Sequence, residues 1–344
     1  MDTKQQRIDW IDVAKGIGMI LVIMGHTIQL GVVRPIYAFH MPLFFFLSGL
    51  LLIPSRIGDF LPFAKKKAIQ LLRPWLIILL ISSGVCMLIP EWKQQFTLDN
   101  ILYDLYSVNT NTFQNSSIWY LPCFFFALVF YYLMNKVFKY NKISVGIFIA
   151  FALSLFLLKP LMESLCVPTG RLPFKMDSAL VASVFIAAAS WFRTRIFELV
   201  KGMANIKWIL IACLITVITT IGNGWANMNS LDFGRICLMY YPIAFVGILF
   251  ISIISEYICK SKYSLIKQIL IFYGKNSLII FGFQSLYIRL YLLFFNKLCD
   301  LDMILYGGNP IVHQLGSFFI VTFVLSPLTV YFFQFLRNWG IKVL

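Results

Sequence analysis

The chain predicts an all-α, polytopic integral membrane protein, and three observations carry that prediction. Apolar residues fill 60% of its 344 positions and charged residues only 12%, with a mean hydropathy of +0.83. Such values exclude a disordered chain and an ordinary soluble domain. Apolar stretches of bilayer-crossing length recur from one end to the other. The basic residues are sorted by segment: nineteen of the 29 fall in alternate connections on one side, eight on the other, and Lys15 and Lys275 lie within spans. That bias follows the positive-inside rule and puts both termini in the cytoplasm.

About ten spans are expected, near 11–33, 36–53, 74–90, 118–135, 143–159, 177–192, 207–222, 234–254, 268–287 and 311–336. The first has no small-residue cleavage site after a short apolar core, so it reads as a span rather than a removed signal peptide. The second opens at His40-Met41-Pro42, where proline suits a first helical turn, and its Ser48-Gly49 would let a neighbouring helix come close. Lys65-Lys66-Lys67 and Arg73-Pro74 lead from an inner loop into the third. Trp119-Tyr120-Leu121-Pro122 opens the fourth at the outer face, where interfacial aromatics are common. Asn223, Asn227, Asn229 and Asp232 occupy an outer loop suited to hydroxyl-rich ligands. Tyr273-Gly274-Lys275-Asn276-Ser277 opens the ninth span inside, with Gln284 toward its outer end. No polar stretch is long enough for a separate soluble domain, so residues 1–344 form one membrane-embedded domain.

The net charge of +15 is mostly this topology, with a secondary attraction for anionic membrane lipid or an anionic ligand, and it does not indicate nucleic acid. The seven cysteines have no metal-ligand spacing, and no metal site is expected. Only Cys166 and Cys299 fall outside the spans on the outer side, and a disulfide between them is the less favoured reading. Gly274-Lys275-Asn276-Ser277 lacks the pattern of a phosphate-binding loop.

Chemistry-bearing residues concentrate in the first fifty positions. The chain has three histidines, and His26 and His40 flank the short break between the first two spans. An ionisable side chain at bilayer depth is costly and is read first as functional. Lys15 stands eleven residues before His26. In a helix that is roughly 20° beyond three full turns and about 16 Å of rise, so the two share one face about half a membrane apart. Asp12, three residues earlier, is placed to pair with the ammonium. The plainer reading, that the histidines cap helix ends at headgroup level, stays open, more so for His40. Lys66, Lys67 and Arg73 suit the phosphates of an anionic cosubstrate or else a positive-inside anchor. Asn276 and Ser277 could bond helix to helix. An amide at Gln284 could orient a histidine or a sugar hydroxyl.

These residues also carry a resemblance. Trp10-Ile11-Asp12-Val13-Ala14-Lys15-Gly16-Ile17-Gly18 through Gly25-His26, then Phe39-His40-Met41-Pro42 through Ser48-Gly49, resemble the membrane-bound acyltransferase-3 family, and within it the fucose 4-O-acetylase-like acetyltransferases. Trp119-Tyr120-Leu121-Pro122, Asp177-Ser178-Ala179-Leu180 and Gly274-Lys275-Asn276-Ser277-Leu278 extend the likeness over nearly the whole chain. The resemblance implies an O-acetyltransferase of the bacterial cytoplasmic membrane. Its donor would be cytoplasmic acetyl-CoA and its acceptor a hydroxyl of cell-envelope carbohydrate, either surface polysaccharide or a lipid-linked precursor. The family's usual arginine, ten residues and a histidine becomes Lys15 and His26 here; the charge is kept and the planar fork is lost. Gln70 breaks the paired-arginine spacing of the inner loop, leaving Arg73, and Gln284 stands where a histidine is often found.

The resulting expectation gives His26 the role of general base or transient acetyl carrier. Lys15 and Asp12 would orient the donor arm, and His40 would orient His26 or touch the acceptor. Arg73, Lys66, Lys67, Asn276 and Ser277 are assigned to the acetyl-CoA side, and Trp119, Tyr120 and Gln284 to the acceptor. The competing class is a transporter or flippase of a sugar or lipid-linked glycan, with Lys15 and His26 as a proton relay; against it, no internal repeat is visible.

Overall fold

A computed structural model describes residues 8–29, 31–108, 112–137, 164, 171–262, 264–299 and 309–339. Helices dominate: α1 (Asp9–Thr27), α2 (Arg34–Tyr37), α3 (His40–Leu50), α4 (Phe60–Leu88), α5 (Pro90–Lys93), α6 (Leu98–Ser107), α7 (Tyr120–Val137), α8 (Met176–Trp191), α9 (Arg193–Met203), α10 (Ile206–Asn223), α11 (Tyr240–Lys260), α12 (Ser264–Lys275), α13 (Ser277–Cys299), α14 (Ile311–Ile320) and α15 (Ser326–Asn338). A five-residue π turn, Val321–Leu325, joins the last two into one rod. A two-stranded antiparallel ribbon pairs Ala226 with Phe233 and Asn227 with Asp232. Seven described helices are long and apolar enough to cross a membrane, and Pro35–Leu50 is a shorter apolar one. The expected fifth span, 143–159, lies outside the described residues, as does Cys166.

Two span boundaries differ from the sequence expectation. The third span does not begin at Pro74: α4 is one helix of 29 residues from Phe60, about 44 Å long against a hydrocarbon thickness of about 30 Å. Its first turns, which carry Lys65, Lys66 and Lys67, therefore extend the rod rather than form a loop. The expected ninth span, 268–287, is broken at Asn276. There α12 ends and α13 begins, so the membrane-length helix is Ser277–Cys299. The Asn276 side-chain amide donates to the Phe272 carbonyl (2.8 Å), capping the end of α12, while its own carbonyl accepts from Ile280 N–H (3.1 Å). One asparagine serves both ends of the break.

Helix α1 is the central element, packing against α3, α11, α13 and, most extensively, α12. Its crossing with α12 depends on two glycines that face opposite ways. A β-carbon at Gly16 would run into the Leu270 carbonyl, and one at Gly274 would run into the Asp12 carbonyl. The Gly274 of the Gly-Lys-Asn-Ser motif is thus a packing glycine, as small residues between membrane helices usually are. Gly49 does the same for α3 against Ile186 of α8. Between α12 and the last rod, Tyr273 donates its hydroxyl to the Thr322 carbonyl of the π turn, a group that the widened turn would otherwise leave poorly satisfied.

Replacing Gly16 with Val is expected to destabilise the protein by about 1–3 kcal/mol through overpacking. Gly84→Ala, where an added carbon meets nothing within 4 Å, should not destabilise it. Thermal unfolding of the two purified variants in one detergent measures the difference.

Candidate active site

Two cavities meet inside the helix bundle. One, about 200 Å³, is largely apolar, with Lys15, Ser48, Tyr120 and Ser277 as its polar residues. The other, about 360 Å³, holds His26, His40, Ser116, Asn227 and Asn229 among the rings of Tyr37, Trp119 and Trp225. Three elements give residues to both. Helix α1 contributes Lys15 to the first and His26 to the second; α3 contributes Ser48 and His40; the Trp119-Tyr120 pair contributes Tyr120 and Trp119 respectively. Among the described residues Phe281 of α13 alone borders both cavities. It is a buried ring packed on Tyr120 with centroids 4.9 Å apart.

The histidine cavity is built around Tyr37. Its ring centroid lies 5.0 Å from that of His40 and 6.4 Å from that of His26, edge to face in each case. Its hydroxyl donates to the Gly25 carbonyl (2.7 Å), fixing the short α2 onto the end of α1. His40 places Nδ1 at 2.8 Å from the Ile36 carbonyl. A carbonyl only accepts, so Nδ1 carries the proton and Nε2 keeps its lone pair. Nothing in the sequence singled out Tyr37; the shortness of the break between the two histidines was the available signal. The third histidine was missed too. His313 shares with His26 a small polar cavity of about 10 Å³, also bordered by Gln29 and Gln314, close to the room one water needs.

The loop after α10 brings Trp225, Asn227 and Asn229 over the histidines, and the Asp177-Ser178 pair at the start of α8 holds it there. The guanidinium of Arg171 grips the Asp177 carboxylate through two nitrogens (Nη2–Oδ1, 3.0 Å). The same group donates to Ser178 Oγ (3.0 Å) and to the Asn229 carbonyl (2.9 Å). Ser178 in turn donates to the Met228 carbonyl (2.9 Å). At the loop's base, Asn223 bonds Phe233 and Ile236 (2.9 and 2.8 Å). Gly234, at φ +79°, lies where a β-carbon would strike the Asn223 amide. Of the expected loop residues, Asn227 and Asn229 therefore face the cavity, and Asn223 and Asp232 serve the loop itself.

The remaining expected site residues divide. Ser277 faces the lysine cavity, whereas Asn276 is spent on the helix break. Asp12 is buried beside α12 and faces neither cavity. Gln284 differs from the expectation: it is wholly buried and lines neither cavity, and its Nε2 donates to Ser117 Oγ (2.6 Å). On α4, Phe63, Lys67 and Leu71 follow one another at four-residue spacing, and Leu71 borders the lysine cavity. Lys67 also lies against the Phe63 ring. Lys66 is exposed, and Arg73 lies on the outward stripe with Ile69, Leu76 and Leu80. Among the described residues no three His, Cys, Asp or Glu side chains are grouped so as to hold a metal ion.

A bundle of membrane-length helices that gathers imidazoles, a lysine and hydroxyls in two cavities bordered by one shared ring has the makings of a membrane-embedded group-transfer enzyme. The acyltransferase-3 family model, an acyltransferase domain, matches residues 8–332. The chain belongs to that family, and it is a multi-pass membrane acyltransferase. Comparison with curated proteins and with solved structures finds no match.

Replacing Asp177 with Ala leaves the half-buried Arg171 guanidinium without its carboxylate. Breaking such a pair costs about 3–5 kcal/mol. The variant should unfold earlier on heating, and its 226–233 loop should be cleaved by protease well before that of the parent protein. Equal cleavage rates would remove Asp177 as the loop's anchor.

Proposed function

We propose that the protein is an O-acetyltransferase of the bacterial cytoplasmic membrane. It takes acetyl from cytoplasmic acetyl-CoA and places it on a hydroxyl of a surface-polysaccharide sugar or of its lipid-linked precursor. One observation supports this above the others: a lysine cavity and a histidine cavity, stacked along α1, meet at a single aromatic ring. In this reading both termini are cytoplasmic, the lysine cavity receives the donor from inside, and the histidine cavity receives the acceptor from outside. The likeness of the first fifty residues to the fucose 4-O-acetylase-like branch favours a sugar hydroxyl as the acceptor.

A thioester is an activated acyl donor, whereas a sugar hydroxyl is a weak nucleophile near neutral pH and needs a base. His26 takes the hydroxyl proton as the oxygen attacks the acetyl carbonyl carbon. The carbon–sulfur bond breaks, the leaving thiolate recovers the proton from the imidazolium, and the products are the sugar acetate and free CoA. His40, with Nε2 unprotonated, accepts a hydrogen bond from the acceptor or from the His26 ring. Lys15 and Ser277 orient the pantetheine arm, and Lys67, on the cavity stripe of α4, meets the CoA phosphates ahead of the exposed Lys66 and Arg73. Phe281 keeps water of the polar cavity from the thioester until an acceptor displaces the ring.

Three outcomes are expected of the purified protein in nanodiscs supplied with acetyl-CoA and de-O-acetylated host glycan. His26→Ala should lower acceptor-dependent CoA release by about 10²–10⁴-fold, the usual share of a general base, with folding unchanged; substantial retained transfer would sink the assignment. Lys67→Ala should raise KM for acetyl-CoA about tenfold, corresponding to one charge-assisted hydrogen bond, and Arg73→Ala should raise it less. Phe281→Ala should increase CoA release without acceptor, as acetate appears in place of sugar acetate. In the host, loss of glycan acetyl on deletion, restored by the parent gene but not by His26→Ala at matched expression, tests the same reading in vivo. Unchanged acetyl with glycan accumulated inside would favour transport.

A further inference from the structure

A third large cavity, about 390 Å³, is bordered by Arg289, further along α13 than Phe281, and plays no part in the chemistry above. Its floor is polar and buried: Asp104, Thr112 and Gln114 are each less than one-tenth exposed, with the half-buried Arg289 among them. Gln95, Asn100 and Tyr103 form an exposed rim. The floor is wired together. Arg289 donates to Gln114 Oε1, Gln114 Nε2 donates to Gln95 Oε1 (2.8 Å), and Thr112 N–H donates to Asp104 Oδ2 (2.7 Å).

Two features join this cavity to the reaction. On α13, Phe281, Ser285 and Arg289 follow at four-residue spacing and so form one stripe about 12 Å long. Phe281 borders the histidine cavity and Arg289 the third one. Ser285 between them bonds Ser116 Oγ (2.6 Å). The segment from Thr112 to Trp119 runs alongside and divides between the same two cavities: its earlier residues Thr112 and Gln114 face the third cavity, its later residues Ser116 and Trp119 the histidine cavity. A ligand spanning both would lie along a single rigid track.

The lining selects the ligand's chemistry. The lining carries one guanidinium and one carboxylate, so its formal charges sum to zero and no net charge selects an anion or a cation. An apolar chain would cover Asp104 and Arg289 without replacing their water, which is costly. Amides, a carboxylate and a guanidinium under one exposed tyrosine ring suit a neutral ring bearing many hydroxyls. We propose that the third cavity is a glycan subsite: it binds a neighbouring, uncharged sugar residue of the acceptor whose hydroxyl is acetylated at His26. The enzyme thus recognises an oligosaccharide rather than a single sugar. This rests on the carbohydrate acceptor proposed above.

The test uses the full-length protein in nanodiscs with radiolabelled acetyl-CoA. Acceptors are the de-O-acetylated host glycan and the monosaccharides released from it by acid hydrolysis. For the parent protein, KM per acceptor chain should be at least tenfold lower for the glycan than for the reactive monosaccharide. Tyr103→Ala and Asn100→Ala, both on the exposed rim, should raise KM for the glycan severalfold and leave kcat/KM for the monosaccharide unchanged. Tyr103→Phe, which keeps the ring, should restore the glycan KM. Equal use of monosaccharide and glycan, or rim variants that shift both acceptors alike, would overturn the subsite while leaving sugar acetylation intact. No label on any sugar, with acceptor-independent CoA release still present, would overturn the carbohydrate reading itself.

Discussion

The site depends on one constraint: polar groups within a membrane bundle must find partners inside it. The three residues Asn115, Ser116 and Ser117 meet that demand by clasping α13. Asn115 donates to the Gly282 carbonyl (2.7 Å) and to Ser82 of α4 (3.1 Å). Ser116 donates its N–H to Ser285 Oγ and shares a second hydrogen bond with it hydroxyl to hydroxyl, and Ser117 accepts from Gln284. Each bond is worth on the order of 1 kcal/mol in a membrane interior. Together they fix the register between α13 and the chain that enters α7. Trp119 and Tyr120 follow at once, and so fall on opposite sides of Phe281. Shift this clasp by one residue and the partition has no counterpart.

Close helix approach provides the second fixed point. With Gly16 against Leu270 and Gly274 against Asp12, α1 and α12 touch backbone to backbone, and α1 can neither slide nor rotate. Lys15 and His26 inherit that rigidity. The ten residues between them span the distance from one cavity to the next because the helix is unbroken from Asp9 to Thr27. The loop over the histidines is held in the same spirit by Arg171 and Asp177. That pair also anchors the turn before α8, where Phe174 and Lys175 both adopt positive φ (54° and 57°). Left-handed backbone at two side-chain-bearing residues costs roughly 1–2 kcal/mol each, and a bidentate buried ion pair is a suitable counterweight.

Much of this was legible in the sequence. Length and apolarity alone identify the class, and the shared face of Lys15 and His26 follows from helical arithmetic; the structure puts each on a cavity. What stayed hidden has physical reasons. Asn115-Ser116-Ser117 reads as an ordinary polar connection, because a run of small polar residues gives no hint of which helix it will grip. Gln284 reads as a site residue because an amide can orient a histidine or a sugar hydroxyl; the structure gives its Nε2 to Ser117 Oγ, a contact no spacing in the sequence announces. The break at Asn276 is invisible to a hydropathy window, which sees apolar residues on both sides. Lys66, Lys67 and Arg73 look alike in the sequence as donor-side cations, and only helical phase, with Arg73 exposed and Lys67 half-buried, distinguishes them. Phe281 is one of 34 phenylalanines, and no pattern in the sequence distinguishes it.

The two cavities differ in kind, and the difference bears on the proposed reaction. The lysine cavity offers one cation and three hydroxyl-bearing residues among apolar side chains, which suits a thioester arm that must be oriented and kept dry. The histidine cavity gathers two imidazoles, a serine, two asparagines and three further aromatic rings. Polar groups in a membrane protein are retained at a free-energy cost, and their concentration on one side of Phe281 fits the hydroxyl-bearing acceptor proposed above. A base that can deprotonate a sugar can also deprotonate water, so the polar chamber threatens any thioester it can reach. Separating the chambers by a ring solves that conflict without another catalytic group: the acceptor must fill the polar side before base and thioester can meet. On this reading, protection of the donor follows from shape, and the rate follows from His26.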